Sequence, residues 1–86
     1  MAASLIEITG WVTKPPEGTK FVVIVCDTFD HDDYPCYFDS AEKCVAKVSS
    51  PGEMQRVMEV YDLSLDVSSQ ISEHRAWHMP KSSGVI

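Results

Sequence analysis

Five carboxylates and one imidazole gather between positions 27 and 39, at Asp27, Asp30, His31, Asp32, Asp33 and Asp39, with no Lys or Arg among them. Oxygen-rich loops of this kind can hold Ca²⁺. The EF-hand version, however, requires Gly at its sixth position and Glu at its twelfth. Counted from Asp30, those places fall on Pro35 and Ala41; counted from Asp27, they fall on Asp32 and Phe38. The motif fails in both registers. The plainest account is then a solvated hairpin tip. Its functional rival rests on repulsion, because like charges packed this closely raise the free energy of the folded state. A hairpin that only had to turn could do so with Asn-Gly. Phe29 and Tyr34 add aromatic side chains of the type favoured at interface hot spots. The candidate partner-binding residues are therefore Asp27, Phe29, Asp30, His31, Asp32, Asp33 and Tyr34.

Other chemistry is argued down by spacing. His74 and His78 stand i, i+4, as zinc-binding histidines on a helix do. The HExxH arrangement would need Glu where Arg75 stands, and no third ligand lies nearby in sequence. A metal-binding protein built on this pair or on the acidic loop remains the alternative function. A cysteine nucleophile would need a histidine base and an orienting group. Of the three cysteines, Cys26 ends an apolar run and Cys44 lies on an apolar stripe, so both are expected to be buried and inert; Cys36 is expected half-exposed. The chain has no GxSxG, no P-loop and no GxGxxG, and its four glycines are dispersed, so no phosphate cradle can be assembled. Trp11, Trp77 and the tyrosines lack interleaved Lys or Arg and do not make a platform for single-stranded nucleic acid. No catalytic residue and no cofactor is expected.

Composition sharpens this. Seven Lys and Arg face thirteen Asp and Glu, for a net charge of −6 and a pI near 4.8. Nucleic-acid affinity comes from bases neutralising phosphates, so direct binding to DNA or RNA is disfavoured and a basic protein surface is favoured. An odd cysteine count without CxxC, a beginning that lacks a basic, apolar leader and the absence of a long apolar run predict a cytoplasmic, reduced protein with no membrane partner.

The elements that must position these residues follow from periodicity. The 86 residues allow one domain, expected over 1–80, with 81–86 as a flexible tail. Leu5 to Val12 alternates apolar and polar at its start and reads as a strand, with Gly10 marking a weak point or bulge. Thr13 to Thr19 contains Pro15, Pro16 and Gly18 and breaks the ladder. Phe21 to Cys26 (FVVIVC) is β-branched in four of six positions, which suits a central strand buried on both faces. Asp27 to Asp33 is a polar loop, and Tyr34 to Phe38 returns as a strand whose Pro35 confines it to an edge or a strand start.

Asp39 caps a helix in which Glu42 closes a box, with Ala41, Cys44, Val45 and Val48 on one stripe. Around Pro51-Gly52 the pattern fits either a type II turn or a helix start. The stripe Met54, Val57, Met58, Tyr61 is helical, whereas Val57, Glu59, Tyr61, Leu63, Leu65 and Val67 follow a period of two. We read a strand, since Gly52 weakens a helix and the stretch is rich in β-formers. Val67 to Met79, with Asp66 as cap, reads as a second helix stopped by Pro80.

The expected fold is α+β: a small antiparallel sheet of about four strands in β-β-β-α-β-α order, with one or two helices on one face. The expected function is a non-enzymatic, acidic protein-binding module, an inhibitor or modulator of another macromolecule. Such small proteins are common in phages and mobile elements, where carboxylates standing in for phosphates can occupy a basic nucleic-acid-handling groove. The chain is expected as a monomer or homodimer; a homo-oligomeric structural subunit built on an open strand edge is a further alternative.

Overall fold

The computed structural model describes residues 5–50, 52–73 and 76–79. Six elements follow in order: α1 (Leu5–Thr13), β1 (Phe21–Asp27), β2 (Asp32–Phe38), α2 (Ala41–Ser49), β3 (Gln55–Asp62) and α3 (Val67–Ser72). The α+β class is as expected. The sheet has three strands in the order β2-β1-β3, all antiparallel. The expected tail, 81–86, lies outside the described residues.

The apolar run takes the central place that its composition requires. Val22, Val23, Ile24 and Val25 are all essentially inaccessible. Val22 and Ile24 face a core with Ile8, Val12, Tyr61 and Ala76, against which Val67 and Ile71 of α3 also pack. Phe21, Val23 and Val25 face a second core with Cys44 and Val60, joined by Ala41 and Val48 of α2. The helices therefore divide between the two faces, α1 and α3 on one and α2 on the other. This corrects the expectation of helices on a single face. A strand apolar at every position needs cover on both sides.

The first element is also corrected: Leu5–Thr13 is a helix, not a strand. Ile8 and Val12 are spaced i, i+4 and both are buried, a helical pairing that the short alternation at Leu5–Thr9 masked. A run this brief satisfies either period, and the helix is what covers Val22 and Ile24. Gly10 sits mid-helix with open space beside it. The helix closes with the Lys14 N–H donating to the Gly10 carbonyl at 3.0 Å.

In α2 the cap is Ser40 rather than Asp39. The Ser40 Oγ accepts from the Lys43 N–H at 3.2 Å, while the Asp39 carboxylate pairs with the Lys43 Nζ at 3.1 Å. That ammonium, through its hydrogen bond and its charge, holds the Asp39 carboxyl below the ordinary range. Before β3 the chain turns at Gly52, whose φ of 102° only glycine adopts without strain. The strand reading of the following residues holds over Gln55–Asp62. A bulge at Met58 lets Ile24 face Glu59 and Val25 face Val57.

The second helix is shorter than expected. Asp66 does cap it, accepting from the Ser68 N–H, but it ends at Ser72, and Glu73 is already extended at ψ 155°. Three serines in six positions make a weak helix former. The chain then returns beside β3. Trp77 forms a parallel bridge with Val60, the Val60 N–H donating to the Ala76 carbonyl and the His78 N–H to the Val60 carbonyl, both at 2.9 Å. Parallel neighbours need a crossover, and α3 supplies it.

Candidate functional site

The hairpin joining β1 and β2 presents Asp27, Asp30, Asp32 and Asp33 at one end of the sheet, while Asp39 follows the other end of β2 and pairs with Lys43. The paired strands run further than expected, since β2 begins at Asp32. Asp27 stands directly opposite Asp32, and Cys26 opposite Asp33. The connecting loop is Thr28, Phe29, Asp30 and His31. Its geometry is set locally: Asp27 Oδ1 accepts from the Phe29 N–H at 2.8 Å and Asp30 Oδ1 from the Asp32 N–H at 3.2 Å. The His31 N–H donates to the Asp27 carbonyl at 2.6 Å, with His31 at a left-handed φ of 62°. Two of the carboxylates thus shape the loop as well as charging it. Like charges set directly across a ladder destabilise it.

Exposure sorts the seven candidates. Phe29, Asp30, His31 and Asp32 are exposed; Asp27 and Asp33 are half-buried. Phe29 is 74% exposed, so its ring faces solvent and supports nothing in the core. Tyr34 does not belong with it. It packs against the core that α2 covers, and partial burial raises its phenol above the ordinary value. The sequence reading sets Tyr34 at the edge of the loop, but β2 begins two residues earlier, at Asp32.

Two further residues reach the same end from a distant part of the chain. The Thr28 N–H donates to the Met54 carbonyl at 2.7 Å, bringing the turn before β3 beside the hairpin. Met54 is 53% exposed and adopts a φ of 59°; Glu53 is exposed next to it. No sequence signal pointed to Met54, which periodicity alone places on the helical stripe with Val57, Met58 and Tyr61.

α3 ends at Ser72, so His78 does not lie on it; His74, the other member of the expected pair, lies outside the described residues. The His78 Nε2 is 3.0 and 3.2 Å from the two oxygens of the Glu73 carboxylate. Among the described residues no three His, Cys, Asp or Glu side chains converge in a group able to hold a metal. No helix among them is long and apolar enough to cross a membrane.

The cysteines follow their surroundings. Cys44 is buried, as expected, and burial pushes its thiol up to about 11. Cys36 is half-exposed, as expected, and Cys26 is too, which corrects the expectation that it is buried. The apolar run's last position sits at the hairpin end, beyond the helices that cover its middle. In both half-exposed thiols desolvation is the main cause of a raised value. At pH 8 iodoacetamide is expected to label Cys26 and Cys36 slowly and to reach Cys44 only after urea unfolds the chain; mass spectrometry of timed digests reads this. The Cys44 value in the folded state lies above the ordinary 9.0. Its contribution to stability is therefore intact below pH 9 and lost as pH rises through about 11.

A second feature lies at the opposite edge from β2. Gln70 is the buried polar side chain among the described residues, 1% exposed. Its Oε1 accepts from the Asp62 N–H at 2.8 Å, and its Nε2 donates to the carbonyls of Asp62 at 2.8 Å and Asp66 at 3.2 Å. The side-chain amide thus bonds Asp62 as a neighbouring strand would, one step beyond the bridge at Val60. Beside this edge Trp77 is 50% exposed and helps line a groove of about 560 Å³ with Arg56, Val57, Met58 and Glu59. Tyr61, buried on the inner face, donates its hydroxyl to Glu59.

The chain is thus a small α+β domain with an acidic, aromatic-tipped hairpin and an edge closed by a glutamine. No protein-family model matches it, and comparison with curated proteins and with solved structures returned no match.

Proposed function

We propose that this chain is a non-enzymatic binding module whose hairpin end docks on a basic surface of another protein and modulates it. The observation that carries the reading is the position of Phe29, 74% exposed at the apex of a turn flanked by Asp27, Asp30, Asp32 and Asp33. A phenyl ring held in water gains when it is covered. Carboxylates around it lose hydration on docking unless they meet positive charge. The chain's net charge of −6 steers it toward a basic partner and away from nucleic acid itself. A groove that normally receives phosphates is one surface of that kind, and an inhibitor presenting carboxylates there competes by charge. Such a role needs no cofactor and suits the cytoplasm.

The test is affinity capture from a lysate of the organism that encodes the chain, with the Asp30→Asn/Asp32→Asn/Asp33→Asn variant in parallel. The captured protein is expected to bind the variant about tenfold more weakly, with a flatter salt dependence. Equal affinity for both forms at every salt concentration would remove this face from the function.

A further inference from the structure

Sequence alone nominates two aromatics at the hairpin end, Phe29 and Tyr34; the fold leaves Phe29 exposed there and brings the exposed Met54 to the same end. The bond from the Thr28 N–H to the Met54 carbonyl, 2.7 Å long, fixes Phe29 and Met54 next to the same backbone contact. They are 74% and 53% exposed, so neither serves the core. Isolated apolar residues on a surface need no explanation, but two that a tertiary backbone contact brings to the same end can be covered together by one partner.

Charge decides what covers them. Asp27, Asp30, Asp32 and Asp33 of the hairpin and Glu53 beside Met54 share this end, and they outnumber its two cations, Arg56 opposite Cys26 and Lys47, whose Nζ donates to Gln55. A like-charged phosphate backbone or anionic lipid is repelled there. Two copies meeting tip to tip would set these carboxylates against their own kind. A turn that projects its ring from the end of a sheet requires a concave counterpart. We propose that Phe29 and Met54 are the joint apolar anchor of a docking surface for a protein pocket with an apolar floor and a rim of Lys or Arg. This rests on the hairpin-end reading above and adds to it the second anchor and the shape of the partner. Apolar contact holds the complex, while the carboxylates select and steer the partner.

A per-amino β-cyclodextrin, an apolar cup ringed by ammonium groups, reproduces that chemistry; neutral β-cyclodextrin lacks the charge. Titration of the full ¹⁵N-labelled chain is expected to move amide resonances only within 27–33 and 52–56. The amino host should bind about tenfold tighter than the neutral one at low salt, converging at about 0.5 M salt. Phe29→Ser/Met54→Ser should lose both hosts while keeping the parent melting temperature, since both side chains are exposed. Asp30→Asn/Asp32→Asn/Asp33→Asn should bind both hosts equally.

The two readings fail separately. If the serine variant keeps the amino host while the asparagine variant loses it, the apolar anchor is wrong and the acidic reading stands. If neither variant changes binding, both fall. Shifts centred on Trp77 would overturn the proposal. So would self-association in light scattering, or binding to phosphatidylcholine vesicles, that the serine variant abolishes, because the occupant would then be a second copy or a bilayer.

Discussion

Gln70→Leu is expected to lower the unfolding free energy by about 3 kcal/mol, although the substitution adds apolar volume to a buried site. The side chain satisfies the N–H and carbonyl of Asp62 and the carbonyl of Asp66. Leucine would leave the Asp62 N–H facing a hydrocarbon, at about 1–3 kcal/mol. The Asp62 carbonyl keeps the Leu65 N–H and the Asp66 carbonyl the Gln70 N–H, so the bonds lost there add only about 0.5–1.5 kcal/mol each. A chain of 86 residues has a total stability of only about 4–13 kcal/mol. The loss corresponds to a fall of about 15 °C in melting temperature for a domain of this size.

Gln70→Glu separates hydrogen bonding from volume. It keeps the acceptor for Asp62 but turns a carboxylate toward two carbonyls. Burial disfavours the charged form, raising the folded-state value of this acid above its unfolded value near 4.3. The variant's deficit is then small below that pH and grows as pH rises through the folded-state value. Urea unfolding of the parent and both variants at pH 4 and pH 7 reads this. If Gln70→Leu falls within about 0.5 kcal/mol of the parent, typical of an inconsequential surface change, the clasp is not structural.

The second large effect distinguishes a sheet covered on both faces from one covered on a single face. Ile24→Ala, at 1% exposure on the side of α1 and α3, is expected to cost about 3 kcal/mol through lost burial and the cavity left behind. Val23→Thr, on the α2 side, keeps the side-chain shape but buries a hydroxyl, and is expected to cost about 2 kcal/mol. A sheet with one wet face would lose stability at only one of these adjacent positions. Denaturant midpoints for the two variants decide it: a neutral Val23→Thr would mean that α2 leaves that face open to water.

Legibility along the chain tracked how many independent signals converged. At Phe21–Cys26 composition, length and bounding polar residues agreed, and the central buried strand followed. Pro35 placed its strand at an edge, as it is in the order β2-β1-β3. Gly52 and the β-formers after it resolved a stretch whose periodicity matched helix and strand alike. Leu5–Val12 misled because only nine residues form the helix, and so short a stretch does not separate a period of two from one of 3.6. Val67–Met79 misled because apolar spacing continued past the point where a serine-rich helix could persist. The hairpin end was legible as a charged turn bearing Phe29. Met54 was not, since its place there depends on one backbone bond between segments far apart in sequence.

What the amino-acid order determined unaided is local. It set the charge of the turn, the unbroken apolarity of β1, the edge role of Pro35 and the Asp66 cap of α3. Tertiary structure alone decided which apolar stripe covers which face, and that the chain after α3 pairs parallel with β3. It also decided that Gln70 closes the strand end and that Met54 joins Phe29. The reason is physical. Propensity and capping act over a few residues and leave their mark in the sequence nearby. Burial and the satisfaction of backbone N–H and carbonyl groups are settled only when distant segments meet, and a side chain's partner there is named by geometry rather than by spacing.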